Sequence, residues 1–174
     1  VNYGAIGAVI GHELSHGFDD QGRKSDGQGT LRDWWTEQDA KEFEARAAKM
    51  VSQYGEFSPV EGMNVNGKLT LGENIGDLGG LTIAYRAYKL ALGGQPAPVI
   101  NGLTGEQRFF LGWAQMWACK YRDGELRQRL MTDPHAPTEY RVTGVVSNMP
   151  EFYEAFDVKE GDKLYRSDEE RVKI

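Results

Sequence analysis

Apolar positions along this chain recur mostly three and four residues apart, the spacing of one helix face rather than the alternation of a strand. Residues 2 to 17 are small and apolar until His12 and predict a buried helix, in which Gly4, Gly7 and Gly11 permit close packing at a cost in helix propensity. The Asp- and Gly-rich stretch 18–32 then reads as a loop. Thr36, with Asp39 three residues on, marks the N-cap of a second helix running to Met50, and Trp34 and Trp35 before it read as a hydrophobic staple and core anchor. After a Gly/Pro/Asn-punctuated connection over 55–67, a third helix is predicted from Leu71 or Gly72 through Leu81, Tyr85 and Tyr88 to Gly93-Gly94. Thr104 and Gln107 form a capping-box pattern before Phe109, Phe110, Trp113, Met116 and Trp117, a strongly apolar helix whose stripe is mostly core. A short helix over 125–131 leads to a turn held by Pro134 and Pro137; 142–146 reads as a short strand, 151–156 as a helical turn or two, and the polar tail from Asp157 carries no clear pattern.

The period thus predicts a mainly α fold, α+β at most, with few short strands. At 174 residues the chain is the size of one domain and buries roughly two thirds of its unfolded surface. Its 40% hydrophobic and 26% charged residues are those of a globular protein, and no run of eighteen apolar residues is present to cross a bilayer. A net charge of −6 without a basic stripe excludes a nucleic-acid partner. Cys119 is the sole cysteine, so neither an intrachain disulfide nor a multi-cysteine zinc module is available. The opening Val1-Asn2-Tyr3 reads as an excerpt from a longer protein.

The chemistry concentrates in two segments. His12-Glu13-Leu14-Ser15-His16 is an HExxH sequence: residues four apart share a helix face, so both imidazoles reach one ion while Glu13 points at a water beside it. The second is Gly72-Glu73-Asn74-Ile75-Gly76-Asp77, where Glu73 and Asp77 share a face of the third helix. Like charges in that relation repel, and their neighbours are Gly and Ile rather than lysine, so a cation would remove the conflict. One carboxylate can ligate it while the other accepts a hydrogen bond from a ligand imidazole. Two histidines and a glutamate leave a position open, as hydrolytic zinc requires. Asp19 and Asp20, just past His16, suit either a cation's surroundings or a turn. His135, the third histidine, sits between prolines on its turn.

Val9-Ile10-Gly11-His12-Glu13-Leu14-Ser15-His16-Gly17-Phe18-Asp19-Asp20, then Gly72-Glu73-Asn74-Ile75-Gly76-Asp77-Leu78-Gly79-Gly80, then Asp133-Pro134-His135-Ala136-Pro137 with Tyr140-Arg141, closely resemble the neprilysin and endothelin-converting-enzyme family of zinc endopeptidases. The blocks occur in the family's order and span nearly the whole chain. The resemblance implies a thermolysin-like catalytic module over 1–174, the C-terminal portion of a longer protein. It implies one zinc ion held by His12, His16 and Glu73, with Glu13 as general base, Asp77 orienting His12, His135 stabilising the oxyanion and Arg141 holding a substrate carbonyl. Val9, Met116 and Trp117 fall where the family lines an apolar pocket, which implies cleavage of peptides on the amino side of bulky hydrophobic residues. It further implies that the N-terminal part of the same protein closes the cleft, and that the whole protein is secreted, periplasmic or membrane-anchored. The lone cysteine points toward a bacterial relative.

Overall fold

The computed structural model describes residues 1–173 as seven α-helices with short helical turns at the N-terminus and after the first helix. A π-helical turn (Tyr3–Gly7) runs directly into α1 (Ala8–Ser15), which closes in a 3-10 turn, His16–Phe18. The others are α2 (Glu37–Gly55), α3 (Leu71–Ala91), α4 (Gly105–Met116), α5 (Asp123–Thr132), α6 (Thr138–Val146) and α7 (Pro150–Phe156). Both expected caps form: the Thr36 hydroxyl accepts from the Asp39 amide and that of Thr104 from the Gln107 amide, each as a reciprocal capping box. Trp35 packs edge-on against Phe43 at 5.3 Å between ring centres and so anchors the start of α2, while Trp34 stays 43% exposed.

Glycine-mediated contact between α1 and α3 organises the molecule. Gly72, Gly76, Gly79 and Gly80 lie along the side of α3 that meets the first helix and the loop after it. At Gly80 a β-carbon would lie 2.4 Å from the His12 amide nitrogen, and at Gly76 one would lie 2.8 Å from the His12 ring. Each glycine in a helix interior costs about 0.5–1 kcal/mol relative to alanine. Here the loss permits a backbone-to-backbone approach that brings the two motif-bearing segments together. Behind α3 the core continues into an aromatic cluster in which Tyr85 meets Phe109 and Phe110, and Phe110 meets Phe152 of α7.

Two expectations are corrected, and a third stretch left without a pattern gains its contacts. Residues 142–146 are not a strand but the second half of α6, which buries Arg141, Gly144, Val145 and Val146. Their β-branched composition suggested extended chain, yet Pro137 starts a helix and a β-carbon at Gly144 would lie 2.7 Å from the Tyr54 hydroxyl. Among the described residues the only β pairings are isolated bridges, such as Ser25 with Leu31. The helix over 2–17 is buried on one side only: Ala8, Gly11 and His12 face α3, whereas Ile6, Ile10 and Leu14 are exposed. The tail from Asp157, which carried no clear pattern, is held by several contacts: the Val172 amide donates to Asn148 Oδ1 at 2.7 Å, Lys49 Nζ to the Glu169 carbonyl at 2.7 Å, and the Arg166 amide to the Tyr153 hydroxyl at 2.6 Å.

Candidate metal centre

Three imidazoles converge on one carboxylate. Nε2 of His12 lies 3.2 Å and Nε2 of His135 3.1 Å from Glu73 Oε2, and Nε2 of His16 lies 3.6 Å from Oε1. His12 and His16 project from one side of the first helical segment with their rings edge to face at 4.6 Å. Glu73 stands in the first turn of α3, and His135 sits on the turn between α5 and α6. One ligand atom from each of His12, His16 and Glu73 can be chosen so that all lie within 4.8 Å of one another, a set that fits a divalent ion.

An aspartate stands at the far nitrogen of each ring. Asp77 Oδ1 is 2.8 Å from His12 Nδ1, off the line of a hydrogen bond but within ionic contact; Asp19 Oδ2 is 2.8 Å from His16 Nδ1; Asp133 Oδ1 is 2.7 Å from His135 Nδ1. Asp19 is itself fixed by the amides of Gln21 and Gly22 at 2.9 and 2.7 Å, and a β-carbon at Gly72 would lie 3.1 Å from its carboxylate. Such partners set which ring nitrogen is free to face an ion. From the sequence, Asp77 was expected in this role, Asp19 was open between a cation's surroundings and a turn, and Asp133 was not singled out. Asp19 and Asp133 were open to discovery from local spacing, since each lies within three residues of its histidine.

Arg141 does not hang free in the cleft. It is only 6% exposed, grips both oxygens of Asp77 through Nε and a terminal nitrogen at 2.7 Å each, reaches Glu73 at 3.5 Å, and lies 4.0 Å over the Trp117 ring. Val9, Glu13, Trp113, Trp117, His135 and Arg141 line a recess of about 120 Å³ against the cluster. Met116 is not among those lining residues and packs against the core; Trp113, which the sequence placed in the core stripe, is in its place.

The charges agree with this geometry. Burial alone would lower the His12 pKa, but the carboxylates of Asp77 and Glu73 outweigh it and raise the value to about 9. Burial would raise Glu73, yet His12, His135 and Arg141 around it hold its carboxyl below the usual range, so it is an ionised, ligand-ready group. A proton on His12 thus stands where a cation would.

Two histidines of an HExxH segment and a glutamate of a second helix thus gather around one point, the donor set of a divalent-metal site. The chain belongs to peptidase family M13, whose family model matches residues 1–172. It is 48% identical to bovine endothelin-converting enzyme 1 over 168 residues, 94% of this chain and 22% of that protein. It is 47% identical to neprilysin-1 of Caenorhabditis elegans, again with 94% and 22% covered. Zinc metalloprotease ZMP1 of Mycobacterium tuberculosis, solved with an inhibitor, superposes with a TM-score of 0.97 at 56% identity over 99% of this chain and 27% of its own. PEPO from Lactobacillus rhamnosis gives 0.86 at 39% identity, with 99% and 26% covered. The chain therefore spans about a quarter of the length of these relatives, and the bacterial neighbours fit the origin suggested by its single cysteine. No described helix is long and apolar enough to cross a membrane.

Proposed function

We propose that residues 1–174 are the catalytic domain of a zinc-dependent endopeptidase that cleaves peptides on the amino side of bulky hydrophobic residues. The observation that carries this reading is the convergence of three Nε2 atoms on Glu73 beside an open recess lined by Glu13. One zinc ion would be held by His12, His16 and Glu73, and when bound it acidifies water and polarises a scissile carbonyl. Glu13 accepts the proton of the attacking water and returns it to the departing amine. His135 donates from Nε2 to the carbonyl oxygen as negative charge builds there, acting as the imidazolium whose Nδ1–H donates to Asp133, which balances its charge and holds the ring in place. Asp77 aims His12 and clamps Arg141, whose guanidinium is thereby positioned at the recess for a substrate carbonyl. Val9, Trp113 and Trp117 supply apolar walls for the side chain after the cleaved bond.

Because this chain is about a quarter of its relatives, the remainder of the protein is proposed to close the cleft; the isolated chain binds zinc, and turnover needs the rest. The relatives' character as converting enzymes and neprilysins favours a secreted, periplasmic or membrane-anchored whole protein. The test compares the isolated chain with the full-length protein on fluorogenic peptides carrying Phe, Leu, Ala or Glu after the scissile bond, alongside metal analysis. One equivalent of zinc in both, with hydrolysis of the Phe and Leu peptides by the full-length protein, is the expected result. Absence of zinc, or a preference for Glu, overturns the reading.

Zinc binding should also release a proton. His12 is protonated at neutral pH in the metal-free protein because its pKa is raised to about 9, so an ion must displace that proton. The apparent zinc affinity is expected to rise about tenfold per pH unit toward that pKa and level off above it. For the metal-free protein the sign is opposite: a raised imidazole pKa stabilises the fold fully below its ordinary value of 6.5, and that contribution is lost as pH rises through about 9. Calorimetric zinc titrations in two buffers of different ionisation enthalpy count the released proton.

A further inference from the structure

Asp133 divides its two oxygens between two partners. Oδ1 accepts from the backbone amide and from Nδ1 of His135, at 2.9 and 2.7 Å, while Oδ2 accepts from Arg129 Nη1 at 2.7 Å. Arg129 is gripped from its other side as well: Nε donates to Glu125 Oε1 at 3.0 Å, and the guanidinium lies 5.3 Å from the centre of the Tyr121 ring. Glu125, Arg129 and Asp133 follow one another at intervals of four, so they stand one above the next on a single face of α5. Asp133 is the C-cap of that helix, where the chain leaves for the His135 turn.

A ladder of alternating charges on a partly exposed helix face adds little to stability. Its geometric effect is larger. The terminal torsion of an aspartate is broad and two-fold, so an untethered carboxylate turns easily. With Oδ2 held by Arg129, Oδ1 stays turned toward His135. Across the ring from that contact, Nε2 of His135 stands 3.1 Å from Glu73 Oε2, at the centre of the cluster, so a swing of the carboxylate at Nδ1 becomes a displacement of Nε2 there. One guanidinium between two carboxylates also leaves a negative charge over, and the end of the ladder that faces His135 is a carboxylate. Burial would raise the Asp133 carboxyl, but His135 and Arg129 hold it below its ordinary range, so it remains an ionised acceptor.

We propose that Arg129 is a positioning residue for peptide hydrolysis: through Asp133 it holds the His135 ring at the angle from which Nε2 meets the carbonyl oxygen in the transition state. This rests on the reading of His135 as the donor to that oxygen. The interaction forms as charge develops, so its misplacement lowers kcat and kcat/KM equally and leaves KM alone. The rival role for Arg129 is direct contact with substrate, because its side chain also borders a recess of about 110 Å³ beside Trp117 and Arg141. A group that binds substrate and transition state alike changes KM instead. The two roles therefore separate in the kinetics.

Steady-state kinetics of Arg129→Met in the full-length protein, on a fluorogenic peptide, test this. kcat is expected to fall about tenfold with KM within about twofold of the parent, at unchanged zinc content and melting temperature. Arg129→Lys, whose single ammonium can reach Asp133, should recover kcat to within about threefold of the parent. In a His135→Ala background, Arg129→Met should change kcat by less than about twofold, because no ring is left to aim. An unchanged kcat, no recovery with lysine, a loss of equal size in both backgrounds, or a rise in KM alone each overturns the proposal. Crystal structures of the full-length parent and of Arg129→Met read the same point without turnover. In the variant the Asp133 carboxylate and the His135 ring should leave their single orientation, and unchanged positions overturn the proposal. A parent that holds no zinc or cleaves no peptide sinks the endopeptidase reading, and the crystallographic comparison still decides whether Arg129 aims the ring.

Discussion

Glu13→Gln in the full-length protein is expected to retain one equivalent of zinc and to lose hydrolysis by about 10²- to 10⁴-fold. The amide has nearly the shape of the carboxylate but accepts no proton at neutral pH, so it removes the base without removing a ligand. Glu13 makes no side-chain hydrogen bond or ion pair among the described residues and lies exposed at the recess, so its replacement leaves the fold untouched. Metal analysis, thermal melting and kcat on a fluorogenic peptide, run side by side, check each clause. Activity within a few-fold of the parent would sink the assignment of Glu13 as the base. Loss of zinc together with activity would instead make Glu13 a ligand, at odds with the cluster formed by His12, His16 and Glu73.

The second large effect is on stability. Asp77 is 1% exposed and holds two cations at once, the Arg141 guanidinium through both oxygens at 2.7 Å and the His12 ring at 2.8 Å. Asp77→Ala strands the buried arginine, and breaking one side of such a pair costs about 3–5 kcal/mol. In a chain of this size that lowers the melting temperature by roughly 6–20 °C. Zinc affinity should fall about 10–100-fold as well, because His12 loses the partner that aims it. Calorimetric melting and a competitive zinc titration read the two effects. Adding Arg141→Leu removes the stranded charge, and the double variant should regain most of the stability while zinc binding stays weak. A single variant within about 1 kcal/mol of the parent would show that Asp77 does not carry the pair.

Much of this arrangement was legible in the residues. The HExxH spacing gives two imidazoles on one helix face wherever a helix forms, and the Thr36 and Thr104 capping boxes are local patterns that hold in isolation. The strand expected over 142–146 failed because β-branched residues express a preference that packing overrides, and here Tyr54 presses on Gly144 and Arg141 points at Asp77. Arg141 was identified as a functional residue but not as one locked by a bidentate pair, since its partner lies 64 residues away. The replacement of Met116 by Trp113 on the recess wall is of the same kind: both lie on α4, and which of them faces the metal is set by how that helix is rotated against its neighbours.

The sequence by itself determined the helical period, the starts capped by Thr36 and Thr104 and the placing of two imidazoles on one helix face, because each rests on spacings of a few residues that covalent geometry and the helix repeat impose; Glu73 as the third ligand and the reaction class were what the family resemblance implied. Tertiary structure alone decided that His135 reaches Glu73 and that Arg141 is locked by both oxygens of Asp77. It also decided how closely α1 approaches α3. That approach is set by backbone meeting backbone at Gly11 and Gly80, a contact no residue spacing encodes.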